Sequence, residues 1–372
     1  MEPRAARAPG EWSRCYAPGR GMRHRVIWVL NAACPSRCVY CDIESQRATR
    51  VLSAEHVERA SREVLAAGFR EVVFVGGEPF LSPELPVALG VLAGKCSVAV
   101  FTGGLPGHTE KVLRMIALGV DRLVFSIDSG RPFHNDLIRG RRGITVDLLE
   151  LVDAIRRAYP RIDMSLNTVV SRHNAATLGD VWDAMERFRP DSWALTLVGD
   201  NFTGSPREHL LDRAQLEAHY LSTVPALARR LEPRRAELVV LPVPFPFLRA
   251  GTPPRAWGEA AARFRDGLHR ELELYARGEY NRTFVEACGC PLVGTDISIG
   301  VGGEVYPCSQ APALQAEYVV GNVKDAHLEE VLAGQALAKF AAGVPHAPCT
   351  RCWAPSNVER GRLLEVLRDG PP

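Results

Sequence analysis

Three cysteines lie in the stretch Asn31-Ala-Ala-Cys34-Pro-Ser-Arg-Cys38-Val-Tyr40-Cys41, at the spacing C-x3-C-x2-C. With ten cysteines in 372 residues, this spacing is expected by chance only about 0.007 times. Three thiolates can bind a four-iron cube and leave its fourth iron without a protein ligand, open to chemistry. The alternative is a structural zinc site, which needs a fourth ligand; the nearest histidines are His24 and His56.

Composition favours a globular protein with one large domain and a small one, because 46% of the 372 residues are hydrophobic. The net charge of +2 and the lack of a basic stripe argue against a nucleic-acid partner. The sequence shows no signal peptide and no apolar run of about 18 residues, so we expect a cytoplasmic protein without a membrane partner. Cysteines stay reduced there, so clustered ones are better explained as metal ligands than as disulfides.

Short β-branched runs alternate with amphipathic stretches after the cysteine loop, which predicts a parallel sheet. We expect an α/β fold, a partial (β/α)6 TIM barrel, followed by a small C-terminal α+β iron–sulfur domain. Ser53 and Thr109 are the predicted N-caps, and Gly68 and Gly119 the helix stops. The predicted strands are Arg25–Leu30, Glu71–Val75, Ser97–Phe101, Arg122–Ile127, Asp163–Val170 and Ser192–Val198. The predicted helices are Ala54–Ala67, Pro83–Ala93, Glu110–Leu118, Val146–Ala158 and Ala175–Arg187.

The alternation stops near residue 200. Helices are predicted over Ala214–Leu231 and Ala256–Gly278, with a proline-broken segment between them. Two β runs around Gly300-Val-Gly-Gly303 predict a hairpin in the C-terminal part. The predicted organisation is an N-terminal extension, a barrel core, a helical bridging segment and an iron–sulfur domain. Their bounds are 1–23, 24–200, 201–285 and 286–372.

The cysteine loop, with aromatic Tyr40 before its last cysteine, resembles the signature of radical S-adenosylmethionine (radical SAM) enzymes. The next strand runs into Gly76-Gly77-Glu78-Pro79, which resembles the GGE motif of that family. Two glycines let a backbone approach a ligand closely, and Glu78 could bind an ammonium group. Alone, Gly-Gly-Glu-Pro would be taken for a turn.

Further matches follow in chain order. Phe125-Ser126-Ile127-Asp128 ends the fourth strand, and His134-Asn-Asp-Leu-Ile-Arg139-Gly140 resembles an H-x-D-x-x-R-G stretch of the family. The resemblance implies that Ser126 lies near the ribose of S-adenosylmethionine, that Arg139 meets its carboxylate and that Asn167 contacts a ribose hydroxyl. Outside that resemblance, these are a strand-end serine, a surface arginine and a polar strand residue.

The resemblance also implies a reaction. The open iron of the first cluster chelates S-adenosylmethionine, and one electron breaks a C–S bond to give methionine and a 5′-deoxyadenosyl radical. The radical removes a hydrogen atom from an unactivated C–H bond, while the protein positions that bond and excludes water. A flavodoxin- or ferredoxin-type protein is the implied electron donor.

A second set of cysteines lies near the end of the chain. It resembles the auxiliary-cluster extension of the family, called SPASM in its long form and twitch in its short form. Four thiolates would close one further 4Fe-4S cube, although a zinc site also fits the spacing. The predicted ligands are Cys290, Cys308, Cys349 and Cys352, with Cys288 as the alternative to Cys290; Cys15 and Cys96 are treated as incidental.

The auxiliary cube suggests a net oxidation, because it could accept an electron from a substrate radical. About 23 residues precede the first strand, too few for the recognition module of many peptide-modifying relatives. This favours a sugar, cyclitol or nucleoside substrate, or a peptide presented by a separate recognition protein and crosslinked. A non-catalytic iron–sulfur electron carrier or scaffold is the alternative from another class.

No catalytic acid or base can be assigned from the sequence. Asp128, His134 and Asp296 are candidates by position only. Asp200-Asn201 and Trp257 are expected on the substrate side, because they follow the last predicted barrel strand.

Overall fold

The computed structural model describes residues 23–43, 51–199, 207–280, 282–288, 290, 292–309 and 316–352, without the side chains of 287, 288 and 316. Within these residues, ten strands form one sheet in the order β10-β9-β8-β1-β2-β3-β4-β5-β6-β7. The strands are β1 Arg25–Val29, β2 Glu71–Val75, β3 Ser97–Thr102, β4 Arg122–Ser126, β5 Asp163–Val170, β6 Ser192–Leu197, β7 Glu237–Leu241, β8 Asp296–Ile299, β9 Glu304–Tyr306 and β10 Gly321–Asn322.

All pairs from β8 through β1 to β7 are parallel, while β9 and β10 pair antiparallel at the far edge. The six predicted strands and the predicted hairpin are therefore confirmed, and the fold is an α/β partial barrel. One parallel strand, β7, was missing from the prediction, and it comes from the proline-broken segment. β8 is the first strand of the predicted hairpin, but its parallel pairing with β1 was not predicted.

Helices follow the strands of the barrel and cover its outer face, and further helices lie between β7 and β8 and after β10. They are α1 Ala54–Ala66, α2 Leu85–Leu92, α3 Thr109–Ala117, α4 Pro132–Arg139, α5 Ile144–Ala158, α6 Leu178–Met185, α7 Arg213–Ala218, α8 Val224–Leu231, α9 Phe245–Arg249, α10 Trp257–Ala260, α11 Arg265–Ala276, α12 Arg282–Cys288, α13 Leu328–Ala333 and α14 Gln335–Ala342. A π-helical turn, His219–Thr223, joins α7 to α8. No helix within the described residues is long and apolar enough to cross a membrane.

Helix ends follow the predicted signals with one exception. Ser53 caps α1 by accepting a hydrogen bond from the His56 backbone, and Gly68 and Gly119 end helices with positive φ angles of 82° and 119°. The predicted cap Thr109 is wrong, because His108 occupies the N-cap and Thr109 is already helical.

Successive side chains along each strand point alternately outward, into the core beneath the helices, and inward, into the barrel interior. Outward residues such as Trp28, Phe74 and Trp193 are fully buried against the helices, and each contributes roughly 1.5–3 kcal/mol or more by leaving water. The opposite face lines the interior. At its lower, N-terminal end, Glu71 pairs with Arg25 at 2.6 Å and with Arg122 at 3.5 Å. The interior therefore has an ion-paired lower end and opens at the carboxyl ends of the strands.

Candidate functional site

A cavity of about 420 Å³ lies at the carboxyl ends of β1 to β5. Parallel strands present their carboxyl ends, and the loops that follow them, at one edge of a sheet, where ligands of such folds bind. The predicted residues that line this cavity are Cys34, Cys38, Tyr40, Cys41, Gly76, Gly77, Glu78, Ser126, Arg139 and Asn167.

The cysteine loop is attached to the end of β2. The backbone N–H of Gly77 donates to the carbonyl of Asn31 at 2.8 Å, and that of Glu78 donates to Ala33 at 2.7 Å. A Cβ at position 77 would lie 2.1 Å from the Ala33 oxygen, and one at Gly76, where φ is +134°, would lie 2.4 Å from the Asn31 oxygen. The two glycines are therefore required for contact with the chain's own loop.

The opposite side of the loop is attached to α4. Arg37 and Val39 donate backbone hydrogen bonds to the carbonyls of Arg139 and Ile138. Gly140 ends α4 with φ +63°, and a Cβ there would lie 2.0 Å from the Arg37 oxygen. The loop is thus fixed between β2 and α4 by backbone contacts on both sides.

Burial raises the pKa of all three loop thiols, to about 12 for Cys38. The nearby Arg139 guanidinium acts in the opposite direction on each of them. Thiolates at this place therefore need strong positive charge, such as iron. Within the described part of the chain, no three His, Cys, Asp or Glu side chains gather around a point suited to one metal ion.

Glu78 is buried, with 1% of its surface exposed. Its Oε2 accepts hydrogen bonds from the Thr102 hydroxyl at 2.9 Å and the Gly103 N–H at 3.1 Å, and its Oε1 accepts one from the Phe80 N–H. Burial raises the pKa of Glu78 to about 7, although these hydrogen bonds lower it in part. The carboxylate is held rigidly at the cavity wall and would be stabilised by a cation.

Arg139 is the second buried charged group at the cavity. Its Nη1 donates to the Tyr40 hydroxyl at 3.0 Å and lies 3.4 Å from Asp128 Oδ2, which also accepts a 2.5 Å hydrogen bond from Tyr40. Its Nε is buried without a partner. Arg139 as a whole residue is 8% exposed. Its guanidinium is thus oriented by two side chains and retains an unused donor.

Ser126 and Asn167 are direct neighbours in the pairing of β4 with β5. Both line the cavity, and Asn167 Oδ1 accepts a hydrogen bond from the Thr196 hydroxyl at 3.3 Å. Their position provides polar groups at the wall that faces the cysteine loop across the strand ends.

The C-terminal cysteines form a second group. Cys308 and Cys352 are buried together with Leu292, and Cys290 packs against them. Burial raises the pKa of Cys290, and the charges of Cys308 and Cys349 raise it further. Gly303 turns the hairpin with φ +90°, where a Cβ would lie 2.9 Å from Leu52. The side chain of the alternative ligand Cys288 lies outside the described residues.

The two cysteine groups lie toward opposite ends of neighbouring strands. Cys34 follows the carboxyl end of β1, whereas Cys308 follows β9, which runs antiparallel to β8, so that the carbonyl of Cys308 accepts a hydrogen bond from Ser298 on β8. With about 3.3 Å per strand residue, the separation along the strands is on the order of 15 Å.

Other predicted residues lie elsewhere. Pro79 is buried in a short 3-10 turn and does not line the cavity. Asp296 begins β8, at the opposite end of the barrel, and pairs with His24 at 3.5 Å. The position of Trp257 contradicts the prediction, because it is fully buried and stacked on Phe247 within the bridging segment.

Among the acid–base candidates, Asp128 lies behind Tyr40 and Arg139, and His134 lies on α4; neither lines the cavity. Asp200-Asn201 and Cys15 lie outside the described residues. Cys96, at the start of the β3 segment, is far from the strand ends that form the site.

Several cavity residues were missed from the sequence. Phe101, Thr102 and Gly103 end β3 on the same rim as Gly76 and Ser126. The sequence Thr-Gly-Gly at the end of the strand after the Gly-Gly-Glu strand could have indicated that this strand end also lines the cavity. The hydrogen bond between Tyr40 and Asp128 joins residues 88 positions apart, so no local sequence pattern could have predicted it.

Comparison with known proteins gives two family matches. The model of the radical SAM superfamily matches residues 28–213, half of the chain. The model of SPASM, an iron–sulfur cluster-binding domain, matches residues 290–353.

Among curated relatives, the AdoMet-dependent heme synthase of Methanosarcina barkeri is 30% identical over 154 residues, 40% of this chain and 43% of that protein. The GTP 3′,8-cyclase of Synechococcus is 30% identical over 131 residues, 34% of this chain and 38% of that protein. The chain thus spans less than half the length of these relatives. Among solved structures, Streptococcus suis SuiB bound to its precursor peptide SuiA has a TM-score of 0.63 at 13% identity, over 90% of this chain and 71% of that one.

Proposed function

The chain belongs to the radical SAM superfamily, and on that premise we propose that it is an enzyme that cleaves S-adenosylmethionine reductively and removes a hydrogen atom from an unactivated C–H bond. The family matches imply S-adenosylmethionine and iron–sulfur clusters as cofactors. The observation that carries the proposal is the cavity that joins the cysteine loop, Glu78 and Arg139.

The residues present fit the cofactors. Cys34, Cys38 and Cys41 supply three thiols on one rigid loop, the donor set of a cube with one open iron. The buried Nε of Arg139 has no partner, which suits a carboxylate, and Glu78 suits an ammonium. When bound, the cluster and its sulfonium ligand supply the radical that abstracts hydrogen.

The chain's own residues would position the bound S-adenosylmethionine and shield it from water. Tyr40 and Asp128 hold the Arg139 guanidinium, and Ser126 and Asn167 offer polar contacts to a ribose at the strand ends. The ion pairs of Glu71 with Arg25 and Arg122 occupy the lower end of the barrel, which limits the entry of water from that end.

For the C-terminal group, we propose one auxiliary 4Fe-4S cluster bound by Cys290, Cys308, Cys349 and Cys352. Cys308 and Cys352 are buried together with Cys290 packed against them, and Cys349 is close enough to act on the pKa of Cys290. This grouping supports a fully ligated cube, although the count changes if Cys288 also binds. A cube at this distance from the cavity is suited to accept an electron released when a substrate radical is oxidised.

The substrate is proposed to be a small molecule of sugar, cyclitol or nucleoside type, or a peptide. The matched relatives named as a heme synthase and a GTP cyclase act on small molecules, whereas SuiB was solved with a precursor peptide. A peptide crosslinking enzyme with a separate recognition protein is therefore retained as the second candidate. The two candidates differ in which substrate stimulates the formation of 5′-deoxyadenosine. Stimulation by a sugar, cyclitol or nucleoside and none by peptides would support the first candidate, and the reverse would support the second.

The alternative of a non-catalytic electron carrier needs no cavity beside its cluster. The test is anaerobic incubation of the reduced protein with S-adenosylmethionine, followed by chromatography for 5′-deoxyadenosine and methionine. We expect both products from the wild type and neither from the Cys34/Cys38/Cys41→Ala variant. A fully iron-loaded wild type that forms no 5′-deoxyadenosine, with or without candidate substrates, would contradict the proposal.

A further inference from the structure

The interior of the barrel has two walls of different chemistry beneath the cavity. Val75 and Phe101 line the cavity from β2 and β3, and Ser126 and Asn167 line it from β4 and β5. Because successive side chains alternate between the two faces of a strand, the residues two positions away on each strand face the same interior. The inward residues can therefore be followed down each strand from the cavity.

One wall is apolar. It is formed by β1, β2 and β3, whose inward side chains carry no hydrogen-bonding atom above the ion pairs of the lower end. In the strand register, Val29 lies beside Val75, and Val73 lies beside Ala99, so the side chains form one continuous surface. This surface can contact the C–H groups of a ligand but can bind none of its hydroxyls. The wall consists of Ile27, Val29, Val73, Val75, Ala99 and Phe101.

The other wall carries hydroxyl and amide groups. It is formed by β4, β5 and β6, and its polar residues are Ser126, Ser165, Asn167, Ser192 and Thr196. Ser165 and Ser192 are direct neighbours in the pairing of β5 with β6, and the Ser192 hydroxyl donates a hydrogen bond to Ser165 Oγ at 2.8 Å. The Ser165 hydroxyl in turn donates to Asp163 Oδ1 at 3.4 Å. Each serine oxygen therefore has at least one lone pair left for a further donor.

Ser165 and Ser192, the serine pair, lie beneath the residues proposed to contact the ribose. Ser165 precedes Asn167 by two residues on β5, which places it about 6.6 Å lower along the strand. Ser192 is only partly buried, so the pair can be reached from the interior. A molecule that binds here would lie beneath the bound S-adenosylmethionine, on the side of the C-terminal cysteines.

The charges of the interior disfavour an anionic ligand. At the inward positions of the described strands, the only positively charged side chains are Arg25 and Arg122. Each is already paired with a carboxylate, at 2.6 and 2.9 Å respectively. Glu237 lies directly beside the serine pair in the pairing of β6 with β7 and adds a negative charge. A phosphate or carboxylate group is bound by free cationic donors, and at the serine pair it would meet carboxylates instead.

Two unlike walls are complementary to a particular kind of molecule. A saturated ring with several hydroxyls has C–H groups on its faces and hydroxyls around its edge. Its face can pack against the apolar wall while its hydroxyls donate to the serine pair. We propose that the interior binds a compact polyhydroxylated ring without a phosphate or carboxylate group, held by Ser165 and Ser192. The inference rests on the proposed function and names the substrate class of that same site.

A peptide is the weaker occupant of this interior. An extended backbone presents N–H and C=O groups along both of its edges, and each of them needs a hydrogen-bond partner when it is buried. The groups that face the apolar wall of β1 to β3 would be left without one, which is unfavourable. The two walls therefore favour a ring over a peptide.

The test compares neutral rings with their phosphate esters. Iron-loaded wild-type protein is incubated with S-adenosylmethionine, a reductant and one probe, and the 5′-deoxyadenosine formed is divided by the amount formed without a probe. The probes are glucose, glucosamine, ribose and myo-inositol, each with its phosphate ester, and their binding is also measured by calorimetry. We expect at least one neutral ring to bind and to stimulate, and its phosphate ester to bind about tenfold more weakly or worse.

Two variants test the serine pair itself. Ser165→Ala/Ser192→Ala removes both hydroxyls and should raise the concentration of the preferred ring that gives half-maximal stimulation by about tenfold or more. Ser192→Thr keeps a hydroxyl and should retain most of the affinity. Ser61→Ala is the matched control, because the buried Ser61 hydroxyl donates to Val57 within α1, outside the barrel. Thermal unfolding shows whether each variant is folded, and Ser192→Ala alone serves if the double variant is not.

The outcomes separate this inference from the function on which it rests. Phosphate esters that bind as tightly as the neutral rings, or a panel in which no neutral ring stimulates, would overturn the substrate class. Stimulation by peptides alone would overturn it as well. An unchanged half-maximal concentration in the serine variants would refute the role of the serine pair. Failure of the wild type to form any 5′-deoxyadenosine, with or without a probe, would overturn the proposed function instead.

Discussion

The substitution Gly77→Ala tests the attachment of the cysteine loop to β2. The new Cβ would lie 2.1 Å from the Ala33 oxygen and 2.5 Å from its carbonyl carbon, whereas ordinary C···O contacts are about 3.3 Å or longer. The loop must therefore move by about 1 Å, and the hydrogen bonds from Gly77 to Asn31 and from Glu78 to Ala33 are both weakened.

The magnitude follows from those two bonds. Each contributes about 0.5–1.5 kcal/mol to the free energy of unfolding, and more where a buried group is left unpaired. We expect a loss of about 2–3 kcal/mol, and a displaced Cys34 should also lower the iron content from about eight toward about four per chain.

The assay is chemical denaturation followed by iron and sulfide analysis after anaerobic reconstitution. Gly90→Ala is the matched control, because Gly90 lies in α2 with no atom within 4 Å of an added Cβ. Alanine there should stabilise the protein by up to about 1 kcal/mol. If Gly77→Ala matched Gly90→Ala in both stability and iron content, the reasoning would be refuted.

Three further substitutions test other parts of the molecule. Glu71→Gln leaves two arginines facing a neutral side chain and should cost about 2 kcal/mol in urea unfolding; a change under about 0.5 kcal/mol would show that the pairs contribute little. Burial lowers the pKa of His219 to about 4. The protein therefore loses stability as the pH falls from about 6.5 toward 4, and the loss amounts to about 2 kcal/mol of unfolding free energy at pH 5. His219→Leu should flatten that profile in thermal unfolding, and an unchanged slope would argue against it. Tyr40→Phe removes one of the two side chains that orient Arg139 and should weaken the binding of S-adenosylmethionine about tenfold, as measured by calorimetry. An unchanged affinity would show that Tyr40 does not position Arg139 for binding.

Local sequence patterns sufficed for the barrel strands. β2 and β5 begin and end where the β-branched runs predict, because each strand buries one whole face against helices. β7 was missed because prolines crowd its end; the strand in fact finishes at Leu241, directly before Pro242. A proline after a strand costs no ladder hydrogen bond.

Long-range pairings were not predictable from local patterns. The hairpin was expected, but its parallel pairing with β1, Arg25 beside Asp296, joins residues far apart in the chain. The same holds for the contact of Tyr40 with Asp128. The cysteine spacing indicated the chemistry, whereas the orientation of Arg139 depends on packing among three separate segments.

The most direct measurement is the electron paramagnetic resonance spectrum of the reduced protein, recorded before and after addition of S-adenosylmethionine. It is made on two matched variants, Cys34/Cys38/Cys41→Ala and Cys308/Cys349/Cys352→Ala. We predict that the spectrum of the second variant changes on addition, because its remaining cluster has an open iron, and that the spectrum of the first does not. A change in the first variant, or none in a fully loaded second variant, would contradict the assignment of the open cluster to Cys34, Cys38 and Cys41.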